Sequence, residues 1–597
     1  MTAMINNIIN FLTMSWLTGP IFDKELRVSS RRKRHYAVRF AYIVLLTVAM
    51  VLIWLEEVRY GNSGRVAYRV SRMARAGMYI VIAIAWFQFV ATQIVAGVML
   101  STAISDELYH KTLGTLMTTP ISSFQVVMGK LLSKLLQTLL LIGISFPLLS
   151  IVRVFGGIPW SYVVSSLCIT MVTVIFVGSL SLFFSIFTRK AYVSLILTIL
   201  TLAAIFLLTP FMVLLIKEFA NLHISDREFF SVFNHINPYI TMAVSTALMA
   251  NPRSMTGYYY NFPLACGTIL AASILLNALS VALVRRVALR QATGQTGIFS
   301  ARPKKRKKTS KENQHDLNTN ESSIRRVGRL PVLWKETCSP FYGRHKVLFF
   351  IAIALSLLIL AVVYAFAADK NALDDKDFHA VMLTVYFSIA FLFIIILPAN
   401  CIASEKESRS WHLLLATTLS SRRIVFGKFI GSMKRCLPAM GYIFAHLVIF
   451  TIAGLIHPLG ILHILIITFG TCALLVGSGI LFSTLFKRTT TAVIMNFIFA
   501  AVLWAGIFFL VVIIDGISRS LNWDDFIECY ANIIPFIQVI VAMDISGTDY
   551  LSNGYWPTGK MSPLASTMFL LACSSVYTAT GIFFAWCAKK RFRKKIF

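Results

Sequence analysis

Hydrophobic and polar positions alternate along this chain in long blocks, so that apolar runs of about a membrane's width are separated by polar segments. A spanning helix needs roughly 20 mostly apolar residues, and twelve runs, six in each half, approach that length. They are residues 40–55, 78–104, 135–152, 161–187, 191–216, 262–284, 347–368, 380–403, 437–456, 460–486, 492–514 and 563–588. The pattern predicts an all-α integral membrane protein with twelve transmembrane helices.

The two halves of the chain also repeat each other. Residues 104–130 align without a gap with residues 402–428, and each copy follows the second apolar run of its half. The alignment pairs Glu107 with Glu405, and both copies close on Gly-Lys. Because six is an even number of spans, both halves enter the membrane from the same side. We therefore expect two parallel six-helix repeats, related by an axis along the membrane normal.

Further repeated features precede the first span of each half. The isoleucines and leucines of residues 1–17 fall on one helical face, which is typical of a helix lying in the membrane interface. A Lys-Glu pair follows as Lys24-Glu25 and recurs as Lys335-Glu336. The sequence thus predicts an interfacial helix and a polar segment before the spans begin.

The distribution of lysine and arginine predicts the orientation. Residues 1–39 carry seven, the segment 285–329 carries thirteen and the tail 589–597 carries six, whereas the loop 515–562 has six acids and two basic residues. We expect a multi-pass protein of the cell (plasma or inner) membrane, with both termini and both repeated loops cytoplasmic. The predicted external loop 56–77 departs from this rule, because it carries five arginines. Three of them share a helical face, which favours a helix on the outer headgroups.

Composition agrees with this organisation. The chain has 597 residues, of which 57% are hydrophobic, and a mean hydropathy of +0.74, which excludes a soluble protein of this length. The predicted domains are a first six-span domain at 1–284, a basic cytoplasmic linker at 285–329, a second six-span domain at 330–588 and a basic cytoplasmic tail at 589–597. For the linker and tail, contact with anionic lipid headgroups is favoured over nonspecific nucleic-acid binding, and no specific nucleic acid is expected.

Several kinds of chemistry are missing from the sequence. It contains no G-x-x-x-x-G-K-[ST] phosphate loop and no protease, hydrolase or metal-ligand motif, and its nine cysteines show no metal spacing. We therefore predict that the chain is not an enzyme and holds no cofactor or metal of its own.

Polar residues inside the spans are few. A polar side chain within a span should face protein or water, which makes Gln88, Thr92, Gln93 and Asn400 the candidates for a transport pathway. His446 is the main acid–base candidate, and a lone histidine in a span is more often hydrogen-bonded between helices than catalytic. No span carries the series of acids expected of a proton- or sodium-coupled carrier.

The repeated segment resembles the cytoplasmic loop of type-2 ABC exporter permeases, in which an acid pair precedes a Thr-Leu-x-x-Leu-Leu-x-Thr-Pro run and then Gly-Lys. The first copy departs at Tyr109, where the second acid would stand, and the second copy has Thr418 in place of proline. The resemblance covers both six-span halves. The matching residues are Glu107, Thr112, Leu116, Thr119, Pro120, Gly129 and Lys130, and then Glu405, Glu407, Leu414, Thr417, Gly427 and Lys428.

The resemblance implies a mechanism. In that family the loop after the second span is a coupling helix that docks in a groove of an ATPase subunit, and spans one, two and five line a central path. The segment between spans five and six dips into the outer leaflet. Here both permease domains would be fused in one chain, and ATP and Mg²⁺ would bind to two separate ABC ATPase subunits, the nucleotide-binding domains. The chain would then be the permease of an ATP-driven exporter.

Two alternatives remain open for the whole chain, and one for the loop acids. An unrelated secondary transporter would work without ATP and should place ionisable groups at mid-membrane. A non-transporting scaffold would recruit partners through the linker. Glu107 and Glu405 could serve as helix caps or solvated charges instead of docking residues.

Overall fold

The fold is described from a computed structural model. The residues it describes are 15–31, 36–51 (without 37, 38, 41, 45 and 49), 66–110, 112–156, 158–188, 191–210, 232–250, 260–292, 331–338, 346–369, 371–408, 410–508, 511, 524–545, 555–556, 559–560 and 563–593. They form two compact units, which divide in sequence near residue 298.

The first unit is built from helices. Its described residues between 36 and 51 are helical as well. The labelled helices are α1 (Ser15–Ser30), α2 (Val66–Ser101), α3 (Ser105–His110), α4 (Leu113–Met117), α5 (Ser123–Gly156), α6 (Trp160–Phe187), α7 (Ala191–Ala203, continued by a π-helical turn, Ala204–Leu208), α8 (Pro238–Ala250) and α9 (Phe262–Ala292).

The second unit repeats this order and adds two short elements of other kinds: a 3₁₀ turn, Ala372–Asp374, and an antiparallel hairpin of β1 (Tyr555–Trp556) and β2 (Gly559–Lys560). Its helices are α10 (Pro331–Cys338), α11 (Lys346–Asp369), α12 (Lys376–Asn400), α13 (Ala403–Glu407), α14 (Trp411–Leu415), α15 (Ser421–Ile452), α16 (Pro458–Leu485), α17 (Thr489–Ala501, continued by a π-helical turn, Val502–Gly506), α18 (Asp524–Ile533), α19 (Pro535–Ile545) and α20 (Pro563–Arg591).

The helical membrane fold predicted from the hydropathy pattern is confirmed. Within the described residues, nine helices are long and apolar enough to cross a membrane. They are α2, α5, α6 and α9 of the first unit and α12, α15, α16, α17 and α20 of the second. Three predicted spans fall outside this set: 40–55 is only partly described, and 191–216 and 347–368 contain shorter apolar helices. The total of twelve therefore stays a prediction.

Three predicted boundaries differ from the structure. Spans three and nine were expected at 135 and 437, but α5 begins at Ser123 and α15 at Ser421. The predicted external helix within 56–77 is instead the start of α2, which runs unbroken from Val66. The hydropathy pattern missed these first helical residues of α2, α5 and α15, because polar residues can continue a helix beyond the apolar window that marks a span.

The repeat is visible in the packing within each unit. The short helix α8, which begins at Pro238, packs on α6, and the short helix α19, which begins at Pro535, packs on α16. Both α6 and α16 are the fourth predicted span of their half. With 13 and 11 residues, α8 and α19 are too short to cross a bilayer.

The centre of each unit is its fourth span. In α16 the closest neighbour is α20, because small residues let the two backbones approach. A Cβ added at Gly477 would meet the Gly581 carbonyl, and one added at Gly470 would lie 2.9 Å from the Ser574 Cα. Such contacts between small residues are a common way to pack helices in membranes.

The predicted segments outside the spans are described only in part. Of the predicted interfacial helix at 1–17, residues 1–14 lie outside the described residues, and α1 instead covers Ser15–Ser30 with the Lys24-Glu25 pair. The linker lies outside them from 293 onward. Its first eight residues continue α9 to Ala292, and the tail continues α20 to Arg591.

Candidate functional site

The first copy of the repeated segment folds into two short helices, α3 and α4, before α5 begins. The turn between α3 and α4 is closed by a hydrogen bond from the Thr112 amide to the Glu107 carbonyl, 3.0 Å long. Ser122 and Gln125 then cap α5 reciprocally, since each side chain accepts from the other's amide at 3.2 Å. This is the S-x-x-Q capping box, and it explains why a serine stands at this point of the repeat.

The second copy has the same plan, with α13 and α14 followed by α15. Ser420 is the N-cap residue of α15, since its hydroxyl accepts from the Arg423 amide at 3.4 Å. The start of α13 is fixed to α16, because the Ser483 hydroxyl lies 2.8 Å from the Ile402 amide and 2.7 Å from the Ala403 amide. The loop is therefore attached to a central helix at its first residues.

A buried lysine joins the two ends of the first copy. Lys130, on the second turn of α5, is 4% exposed. Its ammonium group lies 2.6 Å from the Glu107 carboxylate and 2.5 Å from the Ala103 carbonyl. We call Lys130, Glu107 and Ala103 the first lysine clamp. It ties the end of the second span and α3 to the third span.

The second copy has an equivalent arrangement with one more carboxylate. Lys428 is only 1% exposed, and its ammonium group lies 2.9 Å from Glu405 and 3.4 Å from both the Glu336 carboxylate and the Cys401 carbonyl. Arg435 also binds Glu336. We call Lys428, Glu405, Glu336 and Cys401 the second lysine clamp. Two carboxylates and a carbonyl satisfy the buried ammonium group, as a buried charge requires.

The third predicted acid of the loops, Glu407, also has its partner inside the chain. It accepts hydrogen bonds from the Thr489 amide at 2.7 Å and the Thr489 hydroxyl at 3.0 Å. Since Thr489 is the first residue of α17, the carboxylate lies at the positive end of that helix dipole, where negative charge is stabilised. Glu407 therefore anchors the loop to the fifth span of its half.

The surface left exposed by these contacts is mostly uncharged. In the first copy, Thr112, Thr119 and Pro120 are exposed and Leu116 is half-buried. In the second copy, Leu413 is 74% exposed, Thr417 is exposed and Leu414 is half-buried. Among the described residues, the exposed face thus carries threonines and a proline in the first copy and leucine, threonines, His412, Arg422 and Arg423 in the second, while the glutamates face the protein.

The helix that precedes the first span packs along the start of the third span in both units, α1 on α5 and α10 on α15. In the second unit the approach depends on glycine. A Cβ added at Gly427 would lie 3.0 Å from the Leu333 amide nitrogen, and one added at Gly431 would clash with the Glu336 Cβ. The glycine before Lys428 therefore lets α10 bring Glu336 to the second lysine clamp.

In the first unit the corresponding glutamate, Glu25 of α1, lies 2.9 Å from the ammonium group of Lys134. Burial opposes ionisation of Glu25, but the charge and hydrogen bond of Lys134, with smaller contributions from Lys130 and Lys24, lower its pKa below the usual value. The carboxylate is thus held in its charged form. The Lys-Glu repeat seen in the sequence supplies this acid in both halves.

The predicted pathway residues of the second span are buried between helices. The side-chain amide oxygen of Gln88 accepts a hydrogen bond from the Ser145 hydroxyl of α5. The Thr92 hydroxyl donates to the main-chain carbonyl of Gln88 at 2.7 Å. The Gln93 carbonyl accepts from the Tyr239 hydroxyl of α8 at 2.6 Å. These contacts hold α2 against α5 and α8. Their role in a pathway stays a prediction.

Asn400 lies elsewhere. It is the last residue of α12, half-buried beside the loop. Its side-chain oxygen is buried without a hydrogen-bond partner among the described residues. The structure therefore places it at the end of its span, next to the second copy of the repeated segment.

An apolar cavity of about 380 Å³ lies within the second unit. Its walls come from α12, α17 with its π-helical turn, and the start of α19, and include Phe391, Phe497, Trp504 and Phe536. These are the second and fifth spans of that half and the short helix between the fifth and sixth. Hydropathy marked the helices but gave no sign that their aromatic residues meet.

Some residues that build the site were missed from the sequence. Glu25, Glu336 and Ser483 were not candidates, although the first two stand in the repeated Lys-Glu pair. The available signal was that both the Lys-Glu pair and the basic start of the third span recur, because two repeated charges of opposite sign favour an ion pair in each half; the pairs found are Glu25 with Lys134 and Glu336 with Lys428. The described residues contain no cluster of three or more side chains that could hold a metal ion.

Comparison with known proteins identifies the chain. Two family models, both described as ABC-2 family transporter protein, match it in tandem, one over residues 20–293 and the other over residues 367–583. Each match covers one of the two helical repeats. No curated protein matches the chain. The chain therefore belongs to the ABC-2 transporter family and is a membrane permease of an ABC transporter, with two permease domains in tandem.

Proposed function

We propose that this chain is the membrane-spanning permease subunit of an ATP-driven exporter, and that its two repeated loops receive movement from two separate ATPase subunits. The observation that supports this most is the lysine clamp, which occurs in both units. A loop that transmits a displacement must be attached rigidly to the spans it moves. Each clamp makes that attachment with a buried ion pair between the loop and the third span.

The exposed faces of the loops suit a protein groove. Leucine, threonine and proline lie outward while the glutamates are bound internally. A short helix that offers apolar side chains to a groove is a common mode of recognition. Contact of Glu107, Glu405 and Glu407 with basic groups of the ATPase also stays a prediction, although each glutamate has a partner within its own unit. Docking through Leu413 and its neighbours needs no rearrangement of these ion pairs.

The apolar cavity of the second unit supports a transport path beside the second and fifth spans. Its walls are aromatic and aliphatic, which favours the apolar part of a substrate over an ion. The path would be served by ATP and Mg²⁺ bound to the partner subunits, because no phosphate-binding loop occurs in this sequence.

The proposal is tested with the exposed leucine of the second loop. Leu413→Asp places a charge on a side chain that is 74% exposed, so folding should be unaffected while a charge enters the apolar groove. We expect less ATPase subunit to co-purify with the variant, and less substrate-stimulated ATP hydrolysis in membranes. Transport into inverted vesicles that stops without ATP would distinguish an exporter from a secondary transporter or a scaffold.

His457→Asp is the matched control. It adds the same group at the opposite end of the second unit, on an exposed residue whose side chain accepts a hydrogen bond from the Leu459 amide. Aspartate can keep that cap. The control should behave as wild type in every assay. Wild-type association and hydrolysis in Leu413→Asp would remove the docking role of this loop, and a wild-type chain that purifies without any ATPase would contradict the proposal as a whole.

A further inference from the structure

Four proton-carrying side chains form a continuous chain of hydrogen bonds in the second unit, at the end away from its repeated loop. Tyr364 lies near the end of α11, His379 and Tyr386 lie in the first half of α12, and His446 lies near the end of α15. The Tyr386 and Tyr364 hydroxyl oxygens are 2.6 Å apart, Tyr364 is 2.6 Å from Nδ1 of His446, and Nε2 of His446 is 3.2 Å from Nδ1 of His379.

The contact at the His379 end of this row of hydrogen bonds fixes the direction of every hydrogen bond in it. Nε2 of His379 lies 2.9 Å from the main-chain carbonyl of Leu373, which can only accept, so Nε2 carries a hydrogen. In a neutral His379, Nδ1 must then accept from Nε2 of His446. Nδ1 of His446 accepts in turn from Tyr364, and Tyr364 accepts from Tyr386. This assignment leaves all four groups neutral and every contact satisfied.

The same contacts satisfy a second state with one more proton. An imidazolium at His379 donates from both nitrogens, to Leu373 and to Nε2 of His446. His446 then carries its hydrogen on Nδ1 and donates to Tyr364, and Tyr364 donates to Tyr386. No contact is lost, because each donor and acceptor between His379 and Tyr386 has exchanged roles.

The balance of the step is simple. A hydronium ion gives a proton to the Tyr386 oxygen and leaves as water, and the original Tyr386 proton moves to the Tyr364 oxygen. The Tyr364 proton moves to Nδ1 of His446, and the proton on Nε2 of His446 moves to Nδ1 of His379. Four O–H or N–H bonds break, one of them in the hydronium ion, and four form, so the only net change in the protein is one added proton, whose charge lies on His379.

Burial opposes a charge on His379, whereas the Leu373 carbonyl and the negative charges of Asp374 and Asp375 favour it. Among the described residues, the charged or titratable groups that face it are Asp374 and Asp375 of the 3₁₀ turn, and His446 of α15, with Tyr364 of α11 one link further along the chain. Both aspartates are exposed and act on His379 through their negative charge. The Phe450 ring, 4.7 Å from both histidine rings, closes the apolar side of the cluster.

The corresponding positions of the first unit carry other residues. In the alignment of the two repeats, His379 corresponds to Val81, Tyr386 to Gln88 and His446 to Leu148. Gln88 contacts Ser145 at this level, and neither group changes charge at ordinary pH. The described residues at these three positions therefore cannot take up a proton as the histidines of the second unit can.

We propose that Tyr386, Tyr364, His446 and His379 form a proton-binding relay in the second permease domain. The relay holds one proton on His379 beside Asp374 and Asp375. Binding of this proton changes the hydrogen-bond role of Tyr386, which lies seven residues or about 10 Å further along α12. There the hydroxyl changes from a donor committed to Tyr364 into an acceptor whose own hydrogen is free. Proton binding at one end of α12 thus alters a polar contact between α11 and α12 in the interior.

The test uses the purified full chain in lipid nanodiscs and infrared difference spectra against pH, with isotope-labelled histidine and tyrosine rings. Wild type should show formation of imidazolium and a shift of the tyrosine C–O band with the same midpoint pH. His379→Gln should lose both signals. Tyr364→Phe interrupts the relay, so the histidine signal should remain and the coupled tyrosine shift should disappear.

Two variants serve as controls, because each removes a similar group outside the relay. His463 is a buried histidine that contacts Thr567, and Tyr577 contacts Trp504 and Ile533. His463→Gln and Tyr577→Phe should keep both signals. If Tyr364→Phe fails to fold, His446→Gln serves instead: an amide cannot exchange its donor and acceptor atoms, so the His379 signal should remain and the coupled tyrosine shift should disappear. Tyrosine bands that do not change with histidine protonation in wild type, or that still change in Tyr364→Phe, would overturn the relay.

Discussion

A lysine buried at the start of a spanning helix is stable only if negative groups surround it. This requirement explains most of the spacing between glutamate and lysine that the two repeats share. Lys130 has one carboxylate and one carbonyl, and Lys428 has two carboxylates and one carbonyl. The glutamates that look like docking residues in the sequence are bound to these lysines. The glutamates and lysines of the repeated loop motif therefore attach the loop to the spans.

The residue-scale prediction concerns the loss of one partner. Lys428→Met leaves Glu336 and Glu405 with less positive charge in a buried site, and breaking a buried pair costs roughly 3–5 kcal/mol. Lys335, which lies 3.7 Å from Glu405 but is 70% exposed, is the matched control, and Lys335→Met should cost less than about 1 kcal/mol. Thermal unfolding of the purified chain measures both. Equal effects of the two substitutions would contradict the importance of the buried lysine.

At the scale of elements, the short helices outside the spans are held in position by packing against the spans. The helices α10 and α14 are too short to be stable alone, so their position depends on packing. Trp411 of α14 is buried against Phe592, with ring centroids 4.5 Å apart, and the Arg593 side chain donates to the Leu419 carbonyl at 3.1 Å. The end of the last span thus supports the second loop from the other side.

The element-scale prediction tests the crossing of α10 over α15. Gly431→Ala places a methyl group against Glu336, and such overpacking costs typically about 1–3 kcal/mol. Gly441 lies on the same helix with nothing within 4 Å of an added Cβ, so Gly441→Ala should be neutral or slightly stabilising. The apparent melting temperatures of the two variants provide the comparison. A stable Gly431→Ala variant that keeps α10 in place would show that the close approach is unnecessary.

For the whole molecule, the tandem family matches and the two helical units agree that the chain contains two permease domains. The orientation, by contrast, rests on the distribution of lysine and arginine alone. The shared plan of the units supports duplication: each has a short helix before its first span, a clamped loop after its second and short helices before its last. Among the described residues the units differ in side chains at equivalent positions, such as those of the relay, and in the 3₁₀ turn and β-hairpin of the second unit.

The whole-molecule prediction concerns that orientation. Cys529 is exposed in α18, between the fifth and sixth spans of the second half, whereas Cys338 ends α10 beside the first span. In chains that keep one cysteine each, a membrane-impermeant maleimide should label Cys529 in intact cells and Cys338 only after permeabilisation. Labelling of Cys338 in intact cells would reverse the predicted topology.

The sequence by itself determined the class of fold and its duplication. A helix that spans a membrane must be long and apolar. Hydropathy alone therefore located α6, α12 and α16 to within a few residues. The early starts of α5 and α15 were missed, although Ser122-x-x-Gln125 is a helix-start signal that hydropathy does not register. The ungapped repeat likewise required nothing beyond the order of residues.

Only the tertiary structure decided which groups meet. Glu107 and Glu405 look equally suited to a cap, a solvated charge or a docking contact, and their ion pairs appear once α5 and α15 bring Lys130 and Lys428 back to the loops. His446 looks solitary in the sequence, because its partners lie on two other helices. Hydropathy and spacing are properties of one segment at a time, whereas an ion pair or a proton relay depends on the packing of several.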